Sequence, residues 1–143
     1  MTINKFMTSE HRSCDEQFAQ LENIVDSGNF DGAKIMFDEF KSHMLQHFAM
    51  EEKVMFPEYS SCGGGHCDPT QVMIMEHDQM RQLFDQMENA LKEEDVNKFL
   101  GFSENLLFTM QQHNMKEEQM MYNFADETLN SDEIIEKMKE VII

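Results

Sequence analysis

The feature that most constrains this chain is a pattern that occurs twice, at 46–56 and at 112–122. Gln46-His47-Phe48-Ala49-Met50-Glu51-Glu52-Lys53-Val54-Met55-Phe56 and Gln112-His113-Asn114-Met115-Lys116-Glu117-Glu118-Gln119-Met120-Met121-Tyr122 both read Gln-His-x-x-x-Glu-Glu-x-x-Met-aromatic. Positions four apart on a helix share a face and lie about one turn, roughly 6 Å, apart along the axis. Apolar residues at spacings of three and four continue each copy: Met36, Phe40, Met44 and Val54 around the first, Phe99, Phe102, Leu106, Met110, Met120 and Phe124 around the second. The histidine and the glutamate therefore fall on the stripe that the helix must bury. A fold for this chain has to turn two imidazole–carboxylate pairs inward and give them something to bind.

The same offset governs the rest of the chain. His77 follows His11 by 66 residues, as His113 follows His47, and Glu76, Phe84, Asn89 and Met110 repeat Glu10, Phe18, Asn23 and Met44 without a gap. Such self-similarity is the mark of a duplicated structural unit, here a helical hairpin.

Helix signals agree. Thr8 or Ser9 is placed to cap a first helix carrying His11, Cys14, Phe18, Leu21 and Val25, which Ser27-Gly28-Asn29 ends. Asp31 starts the second, and Pro57 is expected to stop it. Residues 57–69, with Gly63-Gly64-Gly65 between Cys62 and Cys67, read as a loop. Asp68-Pro69 opens a third helix with Met73, His77, Met80, Phe84, Met87 and Leu91 inward. Glu93-Glu94-Asp95 turns the chain into the fourth, and Ser131 caps a short tail carrying Ile134, Ile135, Met138 and Val141. Short connections make neighbours antiparallel. The expectation is an all-α protein of one domain, 1–143: an up-down-up-down antiparallel four-helix bundle over about 8–126 and a short C-terminal helix over about 131–142.

Composition limits the partners. A chain of 143 residues buries a sizeable core without disulfides. Eleven basic against 28 acidic residues, net charge −17, exclude nucleic acid and anionic membranes and favour cations. Met1-Thr2-Ile3-Asn4-Lys5-Phe6 lacks the apolar run of a signal peptide and no stretch approaches a membrane span, so a cytoplasmic location is expected. Fifteen methionines and 12 phenylalanines suit an irregular core between helices.

The candidate metal ligands are His11, His47, Glu51, His77, His113 and Glu117. Left empty, two buried carboxylates would repel and take up protons. Two metal ions remove that cost: with bridging carboxylates, each ion receives two histidines and both glutamates and keeps positions for water or a small diatomic ligand. Mixed imidazole and carboxylate ligation suits iron, with manganese or zinc as substitutes.

Glu10-His11, His47-Phe48-x-x-Glu51-Glu52-x-x-x-Phe56-Pro57, Glu76-His77 and His113-x-x-x-Glu117-Glu118 resemble the bacterial hemerythrin-like, or HHE cation-binding, domains, over essentially residues 8–126. The resemblance implies a non-haem di-iron centre in a four-helix bundle, oxo- or hydroxo-bridged, with Glu51 and Glu117 as bridging ligands and the four histidines as terminal ones. Arg81 stands where oxygen-carrying hemerythrins place a further histidine, which leaves both ions similarly under-coordinated.

Other polar residues are assigned away from the metals. Glu52, Glu118, Glu10 and Glu76 are expected to face solvent, with a hydrogen bond to a ligand histidine as the alternative. Arg81 is expected to pair with Glu76 or Asp85, and His43, whose repeat partner is Thr109, is not a ligand. Tyr122, nine residues after His113, falls about 180° round an α-helix from it. Cys14 reads as a small buried hydrophobe; Cys62, His66 and Cys67 as loop thiols, with a disulfide switch or a weak second metal site as the alternative. No acid–base dyad can be named beyond the six ligands. The expected function is a di-iron protein that binds or senses oxygen or nitric oxide or handles iron. The alternative is a di-iron redox enzyme acting on nitric oxide, peroxide or ferrous iron, or repairing iron centres. A monomer or homodimer is expected, and a sensor would need a separate protein partner.

Overall fold

The computed structural model describes residues 1–62 and 68–143. Four long helices and a short fifth make up these residues, with no strand among them. Helix α1 is Ile3–Asp26. Helix α2 begins as Phe30–Met50, passes through a π-turn at Glu51–Met55 and ends as Phe56–Ser61, one rod over 30–61. Helix α3 is Thr70–Lys92. Helix α4 repeats the design of α2, with Val96–Lys116, a π-turn at Glu117–Met121 and Tyr122–Thr128. Helix α5, Ser131–Lys139, is the expected tail. Each long helix packs on the next and α4 closes back on α1, so the bundle is the expected all-α one.

The differences from expectation are local. Helix α1 starts well before Thr8: Thr2 caps it, accepting from the Lys5 N–H, and the Asp126 carboxylate accepts from the N–H groups of Ile3 and Asn4 at 2.6 and 3.1 Å. That carboxylate comes from α4, so the sequence around residue 8 carried no sign of it. Asn29 rather than Asp31 caps α2, and Asn130 rather than Ser131 caps α5. Asp68 does accept from the Thr70 N–H, one residue beyond the expected start. The turn at 27–29 needs Gly28, whose φ of +81° is costly for residues with a Cβ.

The π-turns account for the largest departures. In a π-turn the N–H bonds the carbonyl five residues back, so one extra residue is taken up per turn. Phe56 N–H bonds Glu51 C=O, and Tyr122 N–H bonds Glu117 C=O. Pro57 therefore sits in the first turn of a renewed α-helix, where a missing N–H and a fixed φ are tolerated, and does not end α2. The buried stripe also slips by one residue past each turn. Met55, not Val54, is buried in α2; Met121 and Ala125 are buried in α4, while Met120 is 70% exposed. Ahead of the π-turn, Phe37 rather than Met36 is buried in α2.

The interior is layered. One apolar cluster, with Phe18, Phe37, Phe40, Phe84 and Phe99, fills the end near the 27–29 and 93–95 turns. A second, with Ile3, Met50, Tyr59, Ile134, Ile135 and Met138, fills the other end, where α5 docks. The six candidate ligands lie in sequence between the two. One turn away on each strand of the repeat stand sulfur-bearing side chains: Met7, Met55, Met73 and Met121 in the second cluster, Cys14, Met44, Met80 and Met110 in the first. Cys14 is buried as expected. Cys62 is exposed; His66 and Cys67, and with them the readings of a disulfide or a second metal site in that loop, lie outside the described residues. No helix among the described residues is long and apolar enough to cross a membrane.

Candidate metal centre

All six residues predicted from sequence converge between the clusters, each at most 4% exposed. They form two groups whose ligand atoms lie within 4.8 Å of one another: Glu51, His77, His113 and Glu117, and His11, His47 and Glu117. Glu117 belongs to both. His113 Nε2 and His11 Nε2 approach its Oε1 at 3.2 and 3.3 Å, yet neither Glu117 oxygen has a hydrogen-bond partner, and His113 Nε2 has none either. Buried polar atoms are ordinarily satisfied. Unpaired donors and acceptors of this chemistry, aimed at one point, fit a cation.

The electrostatics of the metal-free cluster show the same strain. Burial opposes a charge on His11, but the neighbouring Glu117 and Glu118 carboxylates outweigh it and raise its pKa to about 9. His113, opposed by burial in the same way, is raised to about 10 by Glu117 and Glu76. Burial, then the Glu117 charge, raises Glu51 to about 7. His47 is pushed well down by burial and by His11. Protons thus occupy the place that cations suit.

The outer nitrogens of the histidines are held by carboxylates that the sequence reading assigned to solvent. Glu118 on α4 accepts from His11 Nδ1 at 2.7 Å, Glu52 on α2 from His77 Nδ1 at 2.6 Å, and Glu76 on α3 from His113 Nδ1 at 2.9 Å. Each lies to one side of its own helix but faces the neighbouring one, which a single-helix projection does not reveal; such bonds fix ring orientation and the metal-facing nitrogen. The clue was in the repeat, because Glu52/Glu118 and Glu10/Glu76 are all glutamates at the same offset. Glu10 departs from it. It accepts from His43 Nε2 at 2.6 Å, while the buried His47 Nδ1 has no partner. His43 also bonds Gln17 and is turned away from the cluster.

Arg81 pairs with Asp78 and Glu52, at 2.8 and 2.7 Å, rather than with Glu76 or Asp85, and its guanidinium lies 5.3 Å from the centre of the Phe48 ring. Phe48 in turn stacks on His77 at 4.0 Å. Arg81 therefore steadies His77 through Glu52 and Phe48. Lys116 does the same for His113 through Glu76, at 2.6 Å.

Tyr122 overturns its expected position. The π-turn takes up one residue, so the nine-residue step from His113 acts as about eight and brings the ring roughly 80° from His113. Its hydroxyl, fully buried, donates to Glu51 Oε2 at 2.8 Å and lies 3.1 Å from His11 Nε2. Burial and the nearby Glu117 and Glu51 charges hold its pKa well above the ordinary phenol value, so it remains a donor.

The family model for the hemerythrin HHE cation binding domain matches residues 2–125. This chain belongs to that family. No curated protein and no solved structure matches it. In this hemerythrin-type domain the buried histidine and glutamate cluster marks a metal-binding site. Its two halves are unequal, however: four residues converge on one side and three on the other, with the Tyr122 hydroxyl beside the latter.

Proposed function

We propose that this protein holds two iron ions in the bundle, through His77, His113, Glu51 and Glu117 on one side and His11, His47 and Glu117 on the other, and that it binds or senses a small diatomic ligand, oxygen or nitric oxide. The observation that carries this reading is Glu117, with both oxygens buried, unpaired and common to the two groups. A buried carboxylate whose oxygens make no hydrogen bond is costly; one shared by two cations is compensated twice. Iron is favoured by the imidazole and carboxylate donor set, with manganese or zinc as substitutes.

Burial of every ligand supports a ligand of a few atoms. The three-residue side, with fewer protein ligands, would leave an ion the more open coordination and is the side where such a ligand would enter. When bound, the ions supply redox and Lewis-acid chemistry; the chain's part is to orient the imidazoles through Glu52, Glu76 and Glu118 and to exclude bulk water. A cytoplasmic protein acting with a separate partner is the setting we infer for a sensor.

The test is elemental analysis of protein purified without added metal, then anaerobic reduction and titration with oxygen and with nitric oxide while optical spectra are recorded. Two irons per chain and a saturable adduct are expected. Fewer than one metal per chain, unaffected by His113→Ala or Glu51→Ala, would refute the two-metal reading. Repeated turnover of an added oxidant would move the assignment to a redox enzyme.

A further inference from the structure

The repeat places Phe56 and Tyr122 at equivalent positions, each directly after a π-turn. Both rings lie 5.7 Å from the histidine of the next helix round the bundle, Phe56 on α2 from His77 on α3 and Tyr122 on α4 from His11 on α1. The halves differ here by one oxygen atom. That atom lies within hydrogen-bond distance of two candidate ligands.

Its contacts are specific. Glu51 offers Oε1 to His77 Nε2 at 3.1 Å, on the four-residue side, while its Oε2 is taken by Tyr122 at 2.8 Å. Glu117, the counterpart of Glu51 in the repeat, has no hydrogen-bond partner on either oxygen. Glu51 Oε1 thus lies nearer His77 Nε2, at 3.1 Å, than His47 Nε2, at 3.5 Å, and its Oε2 is engaged by the tyrosine, whereas both Glu117 oxygens are left without a hydrogen bond.

We propose that Tyr122 is a positioning residue that makes the two metal sites unequal, its hydroxyl holding Glu51 Oε2 so that Glu51 serves the His77–His113 ion and leaves a position open at the His11–His47 ion. This rests on the two-metal reading but differs from the symmetrical double carboxylate bridge that the motif alone implies. With His11 Nε2 given over to a metal ligand's role, the Tyr122 hydroxyl would be left to donate to Glu51 alone. A hydrogen bond to a charged acceptor is strong enough to bias which oxygen a carboxylate offers.

The test is anaerobic titration of the metal-free protein with cobalt(II), whose visible absorption intensity falls as coordination number rises. Wild type should take up two equivalents in two resolved steps, the second weaker and giving the more intense band of an incompletely coordinated ion. In Tyr122→Phe, Glu51 is released to bridge, so the second equivalent should bind about tenfold or more tightly, the steps should merge and the intense band should fade. The reverse change, Phe56→Tyr, should place a hydroxyl against Glu117 and weaken cobalt binding about tenfold. Two steps unchanged in both variants would overturn the proposal while leaving the two-metal reading intact. Failure of wild type to bind two equivalents would overturn both.

Discussion

Metal-free protein should lose stability as pH rises from 7 to 9. His11 and His113 keep their protons in the fold to about 9 and about 10, whereas both deprotonate near 6.5 when unfolded. Their contribution is therefore complete below about pH 6.5 and is lost as pH rises through the folded values. Within the window the folded state binds more protons than the unfolded state, so stability falls by about 1.4 kcal/mol per pH unit for each proton retained. Two pH units then correspond to roughly 2.5 kcal/mol for one histidine and about 5 kcal/mol for both. The two share the Glu117 carboxylate, so the sum falls between those limits. The other groups act mainly below this window: Glu51, raised to about 7, works in the same direction but mostly between 4.5 and 7, while His47, held low, opposes it only below about 6.5. The assay is urea unfolding of chelator-treated protein at pH 7, 8 and 9, followed by far-ultraviolet circular dichroism. Metal-loaded protein, in which cations replace these protons, should show a much flatter dependence. A metal-free urea midpoint that stays constant or rises between pH 7 and 9 would refute the charge assignment at the cluster.

Three further outcomes follow from the geometry. Met121→Ser should destabilise the bundle by about 2–4 kcal/mol and Met120→Ser by no more than about 0.5 kcal/mol in thermal or urea unfolding, because the π-turn buries only the first; equal effects would contradict the shifted stripe. Phe48→Ala removes the ring between His77 and Arg81 and should cost about 3–5 kcal/mol by the same measurements. Glu76→Ala leaves His113 Nδ1 without its carboxylate and should weaken iron binding about 10- to 100-fold in a competition titration against a chelator, with little change in helix content.

The bundle and the six inward residues were legible because apolar periodicity and the 66-residue offset are both properties of the chain itself. His11 and His77 lie far in sequence from the pairs they join, and the shared offset ties them to those pairs. What escaped was anything depending on a change of helical phase or on a neighbouring helix. Nothing in Glu117-Glu118-Gln119-Met120-Met121 announces a π-turn, so Tyr122 was projected to the wrong face and Met120 was placed inside. Glu52, Glu76 and Glu118 were assigned to water because their partners sit on other helices. The start of α1 was missed for the same reason: its stabilising carboxylate, Asp126, is contributed by the far end of α4.

The sulfur layers bear on how long such a molecule lasts. Met7, Met55, Met73 and Met121 stand one turn to one side of the ligands, and Cys14, Met44, Met80 and Met110 one turn to the other. Any oxidant that escapes the centre meets thioethers first, and methionine sulfoxide puts a polar oxygen into an apolar layer. Burial and the nearby Glu10 and Asp15 charges, which push the Cys14 thiol up to about 12, keep it from reacting as a thiolate. Wear would then register as loosened packing on both sides of the site, while the clustered histidines stay chemically intact. Service life would be set by the methionines, whose sulfoxides are reducible, rather than by loss of the ligands themselves.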